Sequence, residues 1–317
     1  MEGRSNSFTS NSKKGVPVKK FLIRVVVFLM FCLLSFVGAW SFYFIRLNTI
    51  SFEISSDKKI LFIGDSHMET GIDETQIPGA YNFAKSGDPY FDQYFRLERI
   101  LEDNPQIKTV FITATPISLT KDGDARIFSD YAMQNVIPNA LPLYDAEIWK
   151  MYLENEPIRF LRFTLKASLD SIINALNPSS GLLVKTFGGR RVSNVKNLEK
   201  SIKKKVSDSL CGDSLTGCVR QVKYLRKMVD FARLHGARVV FLNLPIYRDE
   251  EFFDVPYFES LLSEKFSDVE FWDYADFPIP DDCRQDINHL NRWGAEIFSR
   301  ELAERMKREG ILPENIR

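Results

Sequence analysis

Apolar positions along this chain fall into three patterns, and one of them is unusually long. From Val25 to Ile45, twenty-one consecutive residues carry no charge. At 1.5 Å per residue such a helix measures roughly 31 Å, the thickness of a bilayer's hydrocarbon core. The run is apolar all round rather than along one stripe, unlike the surface helix of a soluble domain. The second pattern is a short continuous run bounded by polar or turn residues: "KILFI" (59–63), "AYNFA" (80–84), "KTVFITA" (108–114), "ARVVFLNL" (237–244) and "VEFWDY" (269–274). These predict strands buried on both faces. The third pattern repeats apolar residues every three or four positions and predicts helices over 91–104, 254–265 and 291–309.

Strands separated by helices predict a three-layer α/β/α domain with a mostly parallel sheet. Residues about 120–215 break that rhythm with helical stretches and four prolines, Pro138, Pro142, Pro157 and Pro178. They are read as a mainly helical insertion. The expected layout is a basic tail at 1–20, a transmembrane anchor at 21–45, a linker at 46–57, and an α/β domain at 58–317. No internal repeat or low-complexity tract is evident.

Charge refines this picture. Forty-two basic and 42 acidic residues balance, so nothing overall points to nucleic acid. The first twenty residues, however, hold Arg4, Lys13, Lys14, Lys19 and Lys20 against Glu2 alone. By the positive-inside rule the tail stays in the cytoplasm, and everything after about residue 46 lies on the periplasmic or extracellular side of an inner or plasma membrane. Trp40, Phe42 and Tyr43 suit the outer interface. A cleavable signal peptide ending near Val37-Gly38-Ala39 is the rival. The apolar run continues past that point, which favours an uncleaved anchor. In an exported domain, Cys211 and Cys218, which flank the turn-rich "GDSLTG", are a candidate disulfide. Four cysteines and three histidines without metal-ligand spacing predict no metal and no cofactor.

The candidate chemistry lies in "ILFIGDSHMET" (60–70). In open α/β sheets, sites form at the carboxyl ends of strands, and Gly64-Asp65-Ser66-His67 follows the first one. Ser66 is a nucleophile there or simply part of the next helix's N-terminus. A serine nucleophile needs a base. His67 is adjacent to it in sequence, a poor position for that task. His235 ends a helix and reads as a C-terminal cation. His289 lies three residues after Asp286, a spacing that places both on one face of a turn. Asp286 can then hold one ring nitrogen while the other faces Ser66, unless it only caps the last helix.

Gly64-Asp65-Ser66 after the first strand, with Asp286-x-x-His289 near the C-terminus, resembles the SGNH (GDSL-like) hydrolase superfamily. The resemblance spans about residues 58–309 on a few short motifs. It implies a flavodoxin-like fold, Ser66 as nucleophile, His289 as base and Asp286 as its orienter. It also implies an oxyanion hole from the backbone of Ser66 and of Gly87, in "NFAKSGDPYF", where a plain turn glycine is the simpler reading. The family's asparagine after the third strand is replaced by Thr113-Ala114-Thr115-Pro116, which leaves Thr115 as a substitute donor. Asp65, His67 and Asn243 are candidate substrate contacts. The membrane-linked branch that O-acetylates extracellular polysaccharides, such as the alginate-acetylation proteins, shows a similar departure, and this chain resembles it more than a secreted lipase.

The resulting expectation is a membrane-anchored serine esterase or O-acyltransferase, acting on an acyl ester of a cell-surface or exported glycan. Its partners would be that substrate, the bilayer through residues 21–45, and glycan-export or acetylation machinery. The alternative is an inactive SGNH-fold protein that binds or assembles exopolysaccharide. A metallophosphoesterase, suggested by Asp65 and His67, lacks the further ligands it would need.

Overall fold

The computed structural model describes residues 18–48, 51–120, 123–135, 141–176, 188–208, 218–247 and 254–314. A long helix, α1 (Val18–Asn48), comes first. Its segment Val18–Phe42 is long and apolar enough to cross a membrane, a test that a signal sequence also meets. Apolar side chains from Phe28 to Leu34 stand exposed, whereas Ala39 is buried. Trp40 packs edge-on against Trp149, with ring centroids 5.3 Å apart.

Residues 51–57 carry no regular element, yet they dock on the domain. Phe52 is buried, its N–H donating to Asp103 Oδ2 at 2.8 Å. The N–H of Ile54 donates to Asn104 Oδ1 at 2.9 Å.

Five strands follow: β1 (Ile60–Ile63), β2 (Ala80–Asn82), β3 (Thr109–Thr113), β4 (Arg238–Asn243) and β5 (Glu270–Asp273). All four pairings are parallel, in the order β2-β1-β3-β4-β5. This is the flavodoxin-like order, whose switch point lies between β1 and β3.

Alternation along the strands divides the core. Leu61, Ile63, Val110, Ile112 and Phe241 face one layer. It contains α3 (Tyr90–Asp103), α8 (Val219–Leu234) and α9 (Val255–Lys265). Ile60, Phe62, Phe111, Val240, Leu242 and Trp272 face the other. There α2 (Ser66–Gly71) and α10 (Arg292–Arg308) cover them.

Between β3 and α8 the chain leaves the sheet. It builds α4 (Asp130–Asn135), α5 (Ala146–Asn155), α6 (Pro157–Leu176) and α7 (Leu198–Asp208). Cys211 lies outside the described residues, so the Cys211–Cys218 pairing does too. Cys218 is a buried free thiol, its sulfur 3.1 Å from the Tyr257 hydroxyl.

Candidate active site

The turn that carries Ser66 is shaped by close packing at the switch point. A Cβ on Gly64 would lie 1.8 Å from Thr113 Oγ1, so only glycine lets β1 leave the sheet beside the end of β3. Asp65 then turns extended and caps α2, its carboxylate accepting the His67 N–H at 3.0 Å. Its other oxygen accepts the Ser118 hydroxyl at 2.7 Å. Ser66 thereby becomes the first residue of α2. That helix is only six residues long, and its last carbonyls need partners. Buried Asn82 supplies them, donating to Met68 O at 3.0 Å and Ile72 O at 3.2 Å while accepting the Ala84 N–H at 3.0 Å. The sequence reading missed Asn82, although a lone amide within "AYNFA" was a visible signal.

The histidine turn is held by its own backbone and by one carboxylate. Gln285 N–H donates to His289 O at 2.9 Å, and Arg284 and Leu290 form an antiparallel bridge. Asp286 Oδ1 accepts the N–H groups of Asn288 and His289, both at 2.9 Å. Asp286 also faces His289 Nδ1, at 2.8 and 3.0 Å from its two oxygens. Burial would raise the Asp286 carboxyl, but these hydrogen bonds and the His289 ring outweigh it and hold the group below its usual value. An ionised carboxylate only accepts, so Nδ1 carries the proton and Nε2 is left as an acceptor. Nε2 lies 2.8 Å from Ser66 Oγ. Asn291, not Asp286, caps α10, accepting the Trp293 and Gly294 N–H groups at 3.1 and 3.3 Å.

Ser66 and His289 open onto a cavity of about 210 Å³, with Gly87, Asp88, Tyr90 and Ser118 also in its wall. Gly87 has φ +77°, and a Cβ there would strike the Tyr131 ring at 2.2 Å. Asp65 and His67 line the same cavity. The His67 ring is buried and meets His289 edge-on, centroids 5.3 Å apart.

Two of the expected contacts lie away from the cavity wall. Thr115 is buried and absent from the cavity wall. Its hydroxyl accepts the Ser118 N–H at 3.2 Å and lies 2.9 Å from Ser118 Oγ. Because Ser118 Oγ donates to Asp65, the Thr115 proton points to Ser118 and not to a substrate oxyanion. Asn243 is likewise buried and outside the cavity wall. Register places it opposite Asp273, and its amide donates to that carboxylate at 2.9 Å.

Behind Gly87 lies a charged cluster that the sequence reading did not find. Arg96 is fully buried; it donates to Asp88, to Asp92 at 3.2 Å and to Phe83 O at 2.8 Å. The Tyr144 hydroxyl donates to Asp92 Oδ1 at 2.6 Å. Burial pushes Asp88 well above the usual carboxylate range; Arg96 pulls against that shift and Asp92 adds to it.

Residues 188–201 form a strap across both turns. Gly189 N–H donates to Ala84 O, and Arg191 N–H to Glu69 O, each at 2.9 Å. Arg190 pairs with Asp73 at 2.6 Å. Farther along, Asn197 N–H donates to Gln285 O at 2.9 Å and Ser193 O accepts the Arg292 N–H at 2.8 Å. Ser201 Oγ accepts the Ile287 N–H at 3.3 Å.

No family model matches the chain, and no curated protein matches it. Among solved structures, it is similar to a GDSL-like lipase from Bacteroides thetaiotaomicron VPI-5482, with 12% identity, a TM-score of 0.35, and coverage of 84% of this chain and 97% of that one. A candidate acylhydrolase from Bacteroides fragilis NCTC 9343 gives 12% identity and a TM-score of 0.35, with 83% and 95% covered.

Proposed function

We propose that this chain is an SGNH-type serine acyl-ester enzyme, anchored in a membrane by α1 and acting on an O-acylated glycan outside the cytoplasm. The observation that carries the reading is the chain of contacts Asp286–His289–Ser66, at 2.8 Å and 2.8 Å. It ends in a hydroxyl at the wall of a cavity. A serine hydroxyl is a weak nucleophile until a base takes its proton, and an imidazole oriented by a carboxylate is the base that does so near neutral pH.

The chemistry follows in two balanced halves. As Ser66 Oγ attacks the ester carbonyl, its proton passes to His289 Nε2, and Asp286 stabilises the imidazolium. The N–H groups of Ser66 and Gly87 are the proposed donors to the oxyanion. The intermediate collapses, the C–O bond to the leaving alcohol breaks, and His289 returns the proton to that alcohol. Water or a sugar hydroxyl then attacks the acyl-serine, giving its proton to His289; the bond between the acyl carbon and Ser66 Oγ breaks, and His289 passes the proton back to Ser66 Oγ. With water the reaction is hydrolysis; with a sugar hydroxyl it is O-acyl transfer. A cavity of about 210 Å³ has room for an acetyl group together with part of the alcohol that carries it.

Export rests on the basic residues that precede Val25 and on the uncharged run from Val25 to Ile45 within α1. The test is turnover of an aryl acetate, with and without an acceptor oligosaccharide. Release of the aryl alcohol that Ser66→Ala abolishes supports the enzyme. Wild-type protein that is folded but inert toward esters would favour a binding role instead.

A further inference from the structure

One helix of the insertion is apolar on the wrong side. α6 buries Phe160, Phe163, Thr164, Ala167 and Ser168 against the domain. Its opposite face shows Ile158, Leu161, Leu165 and Leu169, with exposures of 82, 52, 43 and 49%. At 100° per residue these four positions fall within about 80° of one another, a continuous stripe. Arg162, Lys166 and Asp170 stand exposed beside it. Contiguous exposed apolar surface of this kind marks a contact with lipid or protein.

The neighbours of α6 select lipid. α6 packs along α1, the helix with membrane-spanning length and composition. The junction is aromatic: Trp40 of α1 meets Trp149 of α5, which meets the Phe160 ring at 5.1 Å. Tryptophan concentrates at the level of lipid headgroups. A helix packed beside a membrane-crossing helix shares its surroundings. The stripe disfavours bulk water, and Arg162, Lys166 and Asp170 disfavour the hydrocarbon centre. The headgroup–acyl boundary satisfies both, with the two cations reaching anionic headgroups.

We propose that α6 lies in the bilayer interface beside α1, its Ile158–Leu169 stripe in the acyl boundary, so that the domain is seated on the membrane. This rests on the reading of α1 as a retained anchor.

The full chain, reconstituted into vesicles of equal parts phosphatidylcholine and phosphatidylglycerol, allows the test. A fluorophore on a cysteine placed at Leu165 should be quenched by doxyl lipids several-fold more than by an aqueous paramagnetic ion. The same fluorophore at Leu234, an exposed position at the end of α8, should show the reverse order. Leu161→Glu with Leu169→Glu should shift the Leu165 probe toward the aqueous quencher. A Leu165 probe that behaves like the Leu234 probe overturns the proposal, as does one shielded from both quenchers, which would mean a protein partner such as a second copy. Alkaline carbonate extraction separates the two layers of inference. Release of the chain would remove the anchor and the proposal together, whereas retention with an aqueous Leu165 probe would reject the seating of α6 alone.

Discussion

Ser66 stands on a turn built into the sheet. Gly64 packs on Thr113 of the neighbouring strand, Asp65 caps α2, and Asn82 of β2 takes the carbonyls at the end of α2. His289 stands on a turn with few such supports. Apart from Asp286 and its own backbone, it is held by Tyr247, whose N–H donates to Ile287 O at 2.9 Å, and by the strap, through Asn197 and Ser201. The supports of the first turn belong to the folding core; several supports of the second come from a segment laid over it. Damage to the first should therefore cost mainly stability, and loss of a strap contact to the second should cost mainly turnover.

The largest effects lie where the two turns meet. Ser66→Ala and His289→Ala should each lower kcat/KM by roughly 10⁴- to 10⁶-fold. The double variant should be little worse, because the pair acts as a unit. Additive losses in the double variant would break the link between the turns. Next in size is Gly64→Ala. Its Cβ would overlap Thr113, and overpacking of that kind costs about 1–3 kcal/mol, readable as a lower urea midpoint. Asn82→Ala should cost about 1–3 kcal/mol, since it strands the Ile72 carbonyl and the Ala84 N–H.

Asp286 belongs to the second turn and acts through pH. Its folded pKa lies below the ordinary carboxylate value. It therefore contributes stability above the unfolded pKa and loses it as pH falls through the folded one. The stability gap between wild type and Asp286→Asn should be present near neutrality and close in acid. A constant gap across that range would contradict the hydrogen-bonded carboxylate. The smallest effect is that of Ser201→Ala. One hydrogen bond to Ile287 is lost, worth about 0.5–1.5 kcal/mol at most, and kcat should fall a few-fold with KM unchanged. An equal loss of kcat and urea midpoint across Asn82→Ala and Ser201→Ala would erase the distinction between the two turns.

The same division explains what the sequence disclosed. Parallel strands announce themselves as continuous apolar runs because both faces are covered, so all five strands and the position of Ser66 at the end of β1 were legible. Asp286 and His289 were legible because their partnership is local, three residues apart. Long-range partners were not. Asn243 faces Asp273 only because of strand register, and Thr115 turns to Ser118 only because Ser118 is held by Asp65. The buried Arg96 cluster looks like an ordinary charged helix face until packing closes over it. The strap has little periodicity to betray it, since much of its hold is through backbone groups, with side-chain contacts from Arg190 and Ser201.

The central claim, that His289 turns Ser66 into a nucleophile, is tested most directly by intact mass and peptide mapping after exposure to a fluorophosphonate. The account predicts a single phosphonyl adduct on Ser66 in the wild-type chain, strongly slowed in His289→Ala and absent in Ser66→Ala. A wild-type chain that stays unmodified, or one labelled at the same rate without His289, would contradict it.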